Sequence, residues 1–149
     1  SGEGLHVRCR VTDQEHNGDH TGPHIWKNDS IQFGLDPMNG RNWSEYTFSL
    51  TGDGAAAWNH NPPEGFKSGK FDGACSVTRR GNLTEYSFTI PPERLGFELK
   101  DGTQFRIALL INDSDGGIRS RTMLFFDGLD GHKDTGKFGL VQLRSGRRK

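Results

Sequence analysis

Trp26-Lys27-Asn28-Asp29-Ser30 sets an indole beside an amide, a carboxylate and a hydroxyl at the start of an alternating run. In that run Ile31, Phe33 and Leu35 interleave with Gln32, Gly34 and Asp36, the period of a half-buried strand. Asn28, Asp29 and Ser30 are turn formers, so Trp26 is expected on the lip of a sheet. An indole at a sheet edge can take the C–H face of a pyranose while polar neighbours bond its hydroxyls. Further along, Asn112, Asp113, Asp115, Arg119 and Asp127 surround a second aromatic pair, Phe125-Phe126. Strand alternation sends one of these phenylalanines inward and leaves the other available. Trp43 and Trp58, in or beside turns, extend the aromatic set. The competing reading is that each aromatic packs against its own sheet.

Other constellations carry less. His16, His20 and His24 are spaced four apart, which on a helix would stack three imidazoles, but Asn17-Gly18 and Gly22-Pro23 interrupt any helix there. Asp13, Glu15 and Asp19 share that loop and suit a structural calcium ion. The run 112–117 resembles a calcium loop but has its glycines out of register and no Glu at the twelfth position, so it reads as a hairpin turn. Four Asn-x-Ser/Thr sequons occur, at Asn28, Asn42, Asn82 and Asn112, and the turn preference of these residue types accounts for them. The chain lacks a Gly-x-Ser-x-Gly elbow and a phosphate-binding loop. Its acids are scattered over turns, so the residues single out no catalytic group.

The elements that must position these residues are strands. A chain of 149 residues suits one domain. Glycine occurs 21 times, with Asp-Gly at Asp53, Asp72, Asp101, Asp115, Asp127 and Asp130 and Asn-Gly at Asn17 and Asn39, the dipeptides of antiparallel hairpins. Alternation predicts strands over 5–12, 30–35, 44–50, 55–58, 71–78, 83–90, 104–111, 118–126 and 137–143, with one helical turn over 91–95. Residues 38–43 read as a turn. The fold class is therefore all-β: an antiparallel β-sandwich of jelly-roll or Greek-key type. Cys9 and Cys75 lie in phase with apolar strand positions, which fits either two buried thiols or one bridge.

Charge narrows the partners. The 19 basic and 19 acidic residues cancel, so the chain lacks the positive field of a nucleic-acid binder. The basic tail 144–149 reads as a solvated end. No apolar run approaches the ~20 residues of a membrane helix. Ser1-Gly2-Glu3-Gly4 reads as a processing boundary.

In order, Leu5-His6-Val7-Arg8-Cys9-Arg10-Val11-Thr12-Asp13, Ile25-Trp26-Lys27-Asn28-Asp29-Ser30-Ile31-Gln32-Phe33, Glu45-Tyr46-Thr47-Phe48, Glu85-Tyr86-Ser87-Phe88-Thr89-Ile90-Pro91, Leu109-Leu110-Ile111-Asn112-Asp113 and Lys137-Phe138-Gly139-Leu140 resemble the family 9 carbohydrate-binding modules and their DOMON-like relatives. The resemblance runs over roughly residues 5 to 143. It implies a non-catalytic module that holds a polysaccharide or oligosaccharide sugar between two aromatics. Trp26 matches the first aromatic, Phe125 with Phe126 stands at the second, and Arg119 matches a polar contact. Gln32 stands where the family has a carboxylate contact and Thr47 where it has an arginine. The expected site is thus Trp26, Asp29, Gln32, Asn112, Arg119, Phe125, Phe126 and Asp127. The resemblance further implies an accessory module of a carbohydrate-active enzyme, secreted, extracellular or periplasmic, and monomeric or part of a multidomain chain. A structural accessory domain without a ligand and a glycoside-active enzyme domain are the alternatives. The family begins with another strand or two, so this chain reads as N-terminally truncated relative to it, with an exposed sheet edge as the expected consequence.

Overall fold

Ten strands form in the computed structural model, which describes residues 3–38, 43–117 and 119–146. They are β1 Leu5–Thr12, β2 Ser30–Asp36, β3 Ser44–Thr51, β4 Gly54–Asn61, β5 Gly69–Lys70, β6 Cys75–Arg80, β7 Leu83–Ile90, β8 Gln104–Asp113, β9 Arg121–Phe125 and β10 Gly139–Gln142. Residues 39–42 of the turn expected over 38–43, Ile118 and the tail residues 147–149 lie outside the described residues. One sheet runs β1-β7-β6; the other runs β10-β8-β2-β3-β4-β5, with β9 also on β8. All of these pairings are antiparallel. The expected β-sandwich is the observed one.

Alternation decides the layers. Ile31, Phe33 and Leu35 of β2, Tyr46 and Phe48 of β3, and Tyr86, Phe88 and Ile90 of β7 meet between the sheets. Phe88 stacks on Phe48 at 3.9 Å between centroids and meets Phe33 edge-on at 5.4 Å. Burying such side chains contributes ~1.5–3 kcal/mol each. β2 is buried along its whole length. Its outer face, where Ser30, Gln32, Gly34 and Asp36 project, is therefore covered as well.

That cover comes from an interruption in the edge beside β8. β9 ends with Phe125 opposite Leu109, and β10 begins with Gly139 opposite Ile107. β2 occupies the other edge of β8, so β9 and β10 continue one line, and residues 126–138 arch out of it over the outer face. There Leu129 and Phe138 bury against Ala108 and Leu110. Trp43 braces this second core edge-on to Phe138 at 6.2 Å. Gly34 makes the close approach possible, since a Cβ at this position would lie 2.6 Å from the Phe138 ring.

The two cysteines do not bridge. Cys9 on β1 and Cys75 on β6 pair with opposite sides of β7, and both are free. Strands ~4.8 Å apart place their Cα atoms at roughly twice that spacing, beyond the ~7 Å reach of a disulfide. Burial raises both thiols, Cys75 to about 11.

One side of the sandwich stays open. β1 edges the smaller sheet and β9 the larger, and a cavity of about 350 Å³ between them is lined by Val11, Tyr86, Ile111 and Met123 among others. Met123 of its lining is exposed, as are Leu124, Phe125 and Phe126 further along that edge and Leu140 on β10.

Candidate functional site

Trp26 rides on a short 3₁₀ turn, Gly22–Lys27, rather than on loop alone. Pro near the start presets its φ, and Ile25 anchors it by burying fully. Asn28 then locks its base. Its amide donates to the His20 carbonyl at 2.9 Å and Ser49 Oγ at 3.2 Å, while its own carbonyl accepts the His20 N–H at 2.8 Å. Asp29 accepts the backbone N–H of Ser114 at 2.7 Å and that of Asn17. Asn28 thus ties the Trp26 turn to the preceding loop and β3, and Asp29 ties it to the β8–β9 hairpin.

The outer face of the larger sheet carries a row of polar side chains running toward that tryptophan. Arg119 donates to Asn112 Oδ1 at 3.3 Å; Asn112 Nδ2 donates to Gln32 Oε1 at 2.9 Å and to Ser30 Oγ at 3.0 Å. Gln32 Nε2 donates to Glu45 Oε1 at 2.8 Å, and Lys133 Nζ donates to the same oxygen at 3.0 Å and to the Leu129 carbonyl at 2.6 Å. With cations at both ends and a carboxylate near one, each amide has one satisfied orientation. Register explains the row: Gln32 lies opposite Leu110 and Thr47, so Asn112 and Glu45 are its diagonal neighbours on one face. Glu45, only 6% exposed at its side chain, has Lys133 as its ion-pair partner. His60 shares a 2.8 Å hydrogen bond with Thr47 Oγ1. Burial, aided by Lys133, lowers its pKa against the pull of Glu45, so it is neutral at pH 7.

Together Trp26, Gln32, Glu45, His60, Arg119, Leu129, Asp130, Gly131 and Lys133 line a cleft of about 370 Å³. Its floor is hydrogen-bonding side chains, one wall is an indole, and the other is the 126–138 arch. Arg119 lies over the indole at 5.2 Å from its centroid and 3.7 Å from Asp130. Such a surface offers donors and acceptors to hydroxyls and an apolar face to a ring.

Of the residues expected from the sequence, the structure brings Trp26, Gln32 and Arg119 into the cleft and places Asn112 directly beneath. Asp29 braces the turn and borders the other cavity. Phe125, Phe126 and Asp127 do not line the cleft. Phe125, 59% exposed, is on the edge strand opposite Leu109; Phe126 leaves the strand at φ 60° with its ring against Gly139; Asp127 faces Lys137 at 3.7 Å. Trp43 supports the arch, and Trp58 sits on β4 beside the 3₁₀ turn. Glu45, His60, Asp130 and Lys133 were not anticipated. Glu45 had a usable signal, because it alternates with Tyr46 and Phe48 and so must face away from the core.

The histidines at 16, 20 and 24 do not converge. His16 bonds the Leu50 carbonyl at 2.9 Å. Among the described residues, the acids that gather are Asp13, Asp113 and Asp115, with carboxylate oxygens within 4.8 Å of one another; Glu15 and Asp19 of the expected set stand apart. Burial and the neighbouring Asp115 raise the Asp113 pKa. Arg121 lies 3.3 Å from Asp113 and 3.1 Å from Asp115. The donor set is all hard oxygen, which fits calcium. Of the sequons, Asn28 and Asn112 are buried and closed to modification in the folded chain.

Comparison with known proteins agrees with this fold. Two solved structures of a family 9 carbohydrate-binding module from Caldicellulosiruptor kristjanssonii share the fold. The one in complex with glucose has a TM-score of 0.68 at 15% identity, over 99% of this chain and 74% of its own. The one in complex with cellotriose has a TM-score of 0.70 at 17% identity, over 96% and 70%. No curated protein matches the chain significantly. The family model described as "Carbohydrate family 9 binding domain-like" matches residues 2–146, nearly the whole chain, so this chain belongs to that family of carbohydrate-binding domains.

Proposed function

We propose that the domain binds the pyranose ring of an oligosaccharide or polysaccharide in the Trp26 cleft without acting on it. The ring stacks on the indole, Gln32, Arg119, Asp130 and Lys133 bond its hydroxyls, and Asn112 and Glu45 hold those groups in place. The observation that carries this reading is the continuous hydrogen-bonded row from Arg119 to Lys133 ending beside an accessible tryptophan. The glucose and cellotriose complexes of the similar structures support a glucan as first ligand to try. One stacked ring gives micromolar to millimolar affinity, since hydroxyls exchange water bonds for protein bonds with little net gain.

A glycan array followed by calorimetry on the strongest hit tests this. Trp26→Ala is expected to weaken binding at least tenfold while the melting temperature holds. Equal binding by the variant would remove the stacking model, and no binding by the parent would favour a structural domain without a ligand.

Service beside a carbohydrate-active enzyme, in a secreted or periplasmic setting, belongs to the same proposal and is supported by the family alone. A structural calcium ion is a further part of it. Asp13, Asp113 and Asp115 would hold the ion if Arg121 gave way. Calcium chloride should then raise the melting temperature and EDTA reverse the rise; an unchanged value would dismiss the ion.

A further inference from the structure

The geometry points to a preference of this cleft for saccharides that carry a carboxylate, a uronic acid residue in particular, over their neutral counterparts. The inference rests on the saccharide reading of the Trp26 cleft and adds the chemical class of the ligand.

Three cations and two carboxylates stand in or beside the cleft: Lys27, Arg119 and Lys133 against Glu45 and Asp130. Their pairing is uneven. Lys133 and Glu45 satisfy one another at 3.0 Å. Arg119 has its carboxylate, Asp130, only at 3.7 Å, too far for a direct hydrogen bond. Lys27 has no ion-pair partner among the described residues and rests over the indole, 5.6 Å from its centroid. The two loosely paired cations therefore converge on the ring that a sugar would use. Both are partly exposed, and this local surplus of positive charge sits on a chain whose net charge is zero.

Stacking and charge are then in competition or in concert, depending on the ligand. A neutral pyranose that settles on the face covered by Arg119 displaces the guanidinium from its cation–π contact and returns nothing ionic. A hexuronic acid replaces the same contact with a carboxylate attached to the stacked ring itself. Guanidinium accepts such a partner in a two-pronged geometry, and Lys27 stands on the same indole to share the charge.

Calorimetric titration of the whole chain with cellobiose and with cellobiouronic acid, which differ by one carboxylate in place of a hydroxymethyl group, decides the matter. At pH 7 and low salt the acid is expected to bind at least fivefold tighter. The ratio should fall below twofold in 0.5 M sodium chloride, because partly exposed charges are screened at that ionic strength. Lys27→Gln and Arg119→Gln should each narrow the ratio at low salt. Equal or weaker binding of the acid, or a ratio indifferent to salt and to both substitutions, overturns the preference while leaving the saccharide reading intact. Failure of both sugars and of every glycan on the array overturns the two together.

Discussion

Asn112 illustrates how little freedom the floor of the cleft has. Its amide is shared between Gln32 and Ser30, and its carbonyl is held by Arg119. Replacing it with leucine keeps the volume, strands Gln32 and Ser30 in a buried setting and removes a partner of Arg119. Asn112→Leu is expected to cost ~1–3 kcal/mol, read as a lower urea midpoint, and to weaken saccharide binding by freeing Gln32 to turn. Residue-scale legibility followed from alternation. Gln32 was readable because residues in phase opposite to Ile31, Phe33 and Leu35 share a face, Trp26 because the turn formers after it put it at a sheet edge, and Arg119 because of the family resemblance. Lys133 and Asp130 were not, because they belong to an arch whose path depends on where Leu129 and Phe138 find a second core. For Phe125 and Phe126 residue type and the family resemblance suggest ligand groups, but their surroundings depend on which strand ends up at an edge.

Among the elements, β2 and the arch depend on each other through Gly34. A methyl group there would press on the Phe138 ring at 2.6 Å and on Leu129 at 3.0 Å, and β2 cannot retreat because it is paired on both sides. Gly34→Ala should therefore lift the arch. A loss of ~1–3 kcal/mol is expected from overpacking, together with weaker saccharide binding as Asp130 and Lys133 move; unfolding and titration on the same sample check both. Element boundaries were clearest where alternation was clean, as in β1 and β7, which form over the residues predicted. β6 starts later than expected, at Cys75 instead of 71, because Phe71 is a core wedge outside the strand, edge-on to Tyr46 and Phe48 at 5.2 and 5.8 Å. An apolar residue next to a strand looks like part of it until its tertiary partners are known.

For the molecule as a whole, composition and turn chemistry pointed to the sandwich, while the location of its open side required the pairing. Two sheet edges, β1 and β9, face the same cavity, and Met123, the most exposed large apolar side chain among the described residues, lines it. An edge of this kind invites pairing with other chains. Met123, 67% exposed, is the point at which to test it. Met123→Lys should lower dye binding to exposed apolar surface and reduce light scattering at high concentration, with stability changed by no more than ~0.5 kcal/mol. Unaltered scattering would show that this edge does not drive self-association.

The arch between β9 and β10 separates two jobs along the chain. β8 finds its edge partners on either side of residues 126–138, so the sheet does not need that stretch to set its register, yet the stretch supplies Asp130 and Lys133 to the cleft. The segment is in effect an exchangeable cassette. Any replacement that returns two apolar anchors over Gly34 keeps the scaffold, and the residues between those anchors are free to vary. Ligand choice in such a domain can drift, or be engineered, by rewriting one contiguous run of sequence while the indole and the floor stay as they are.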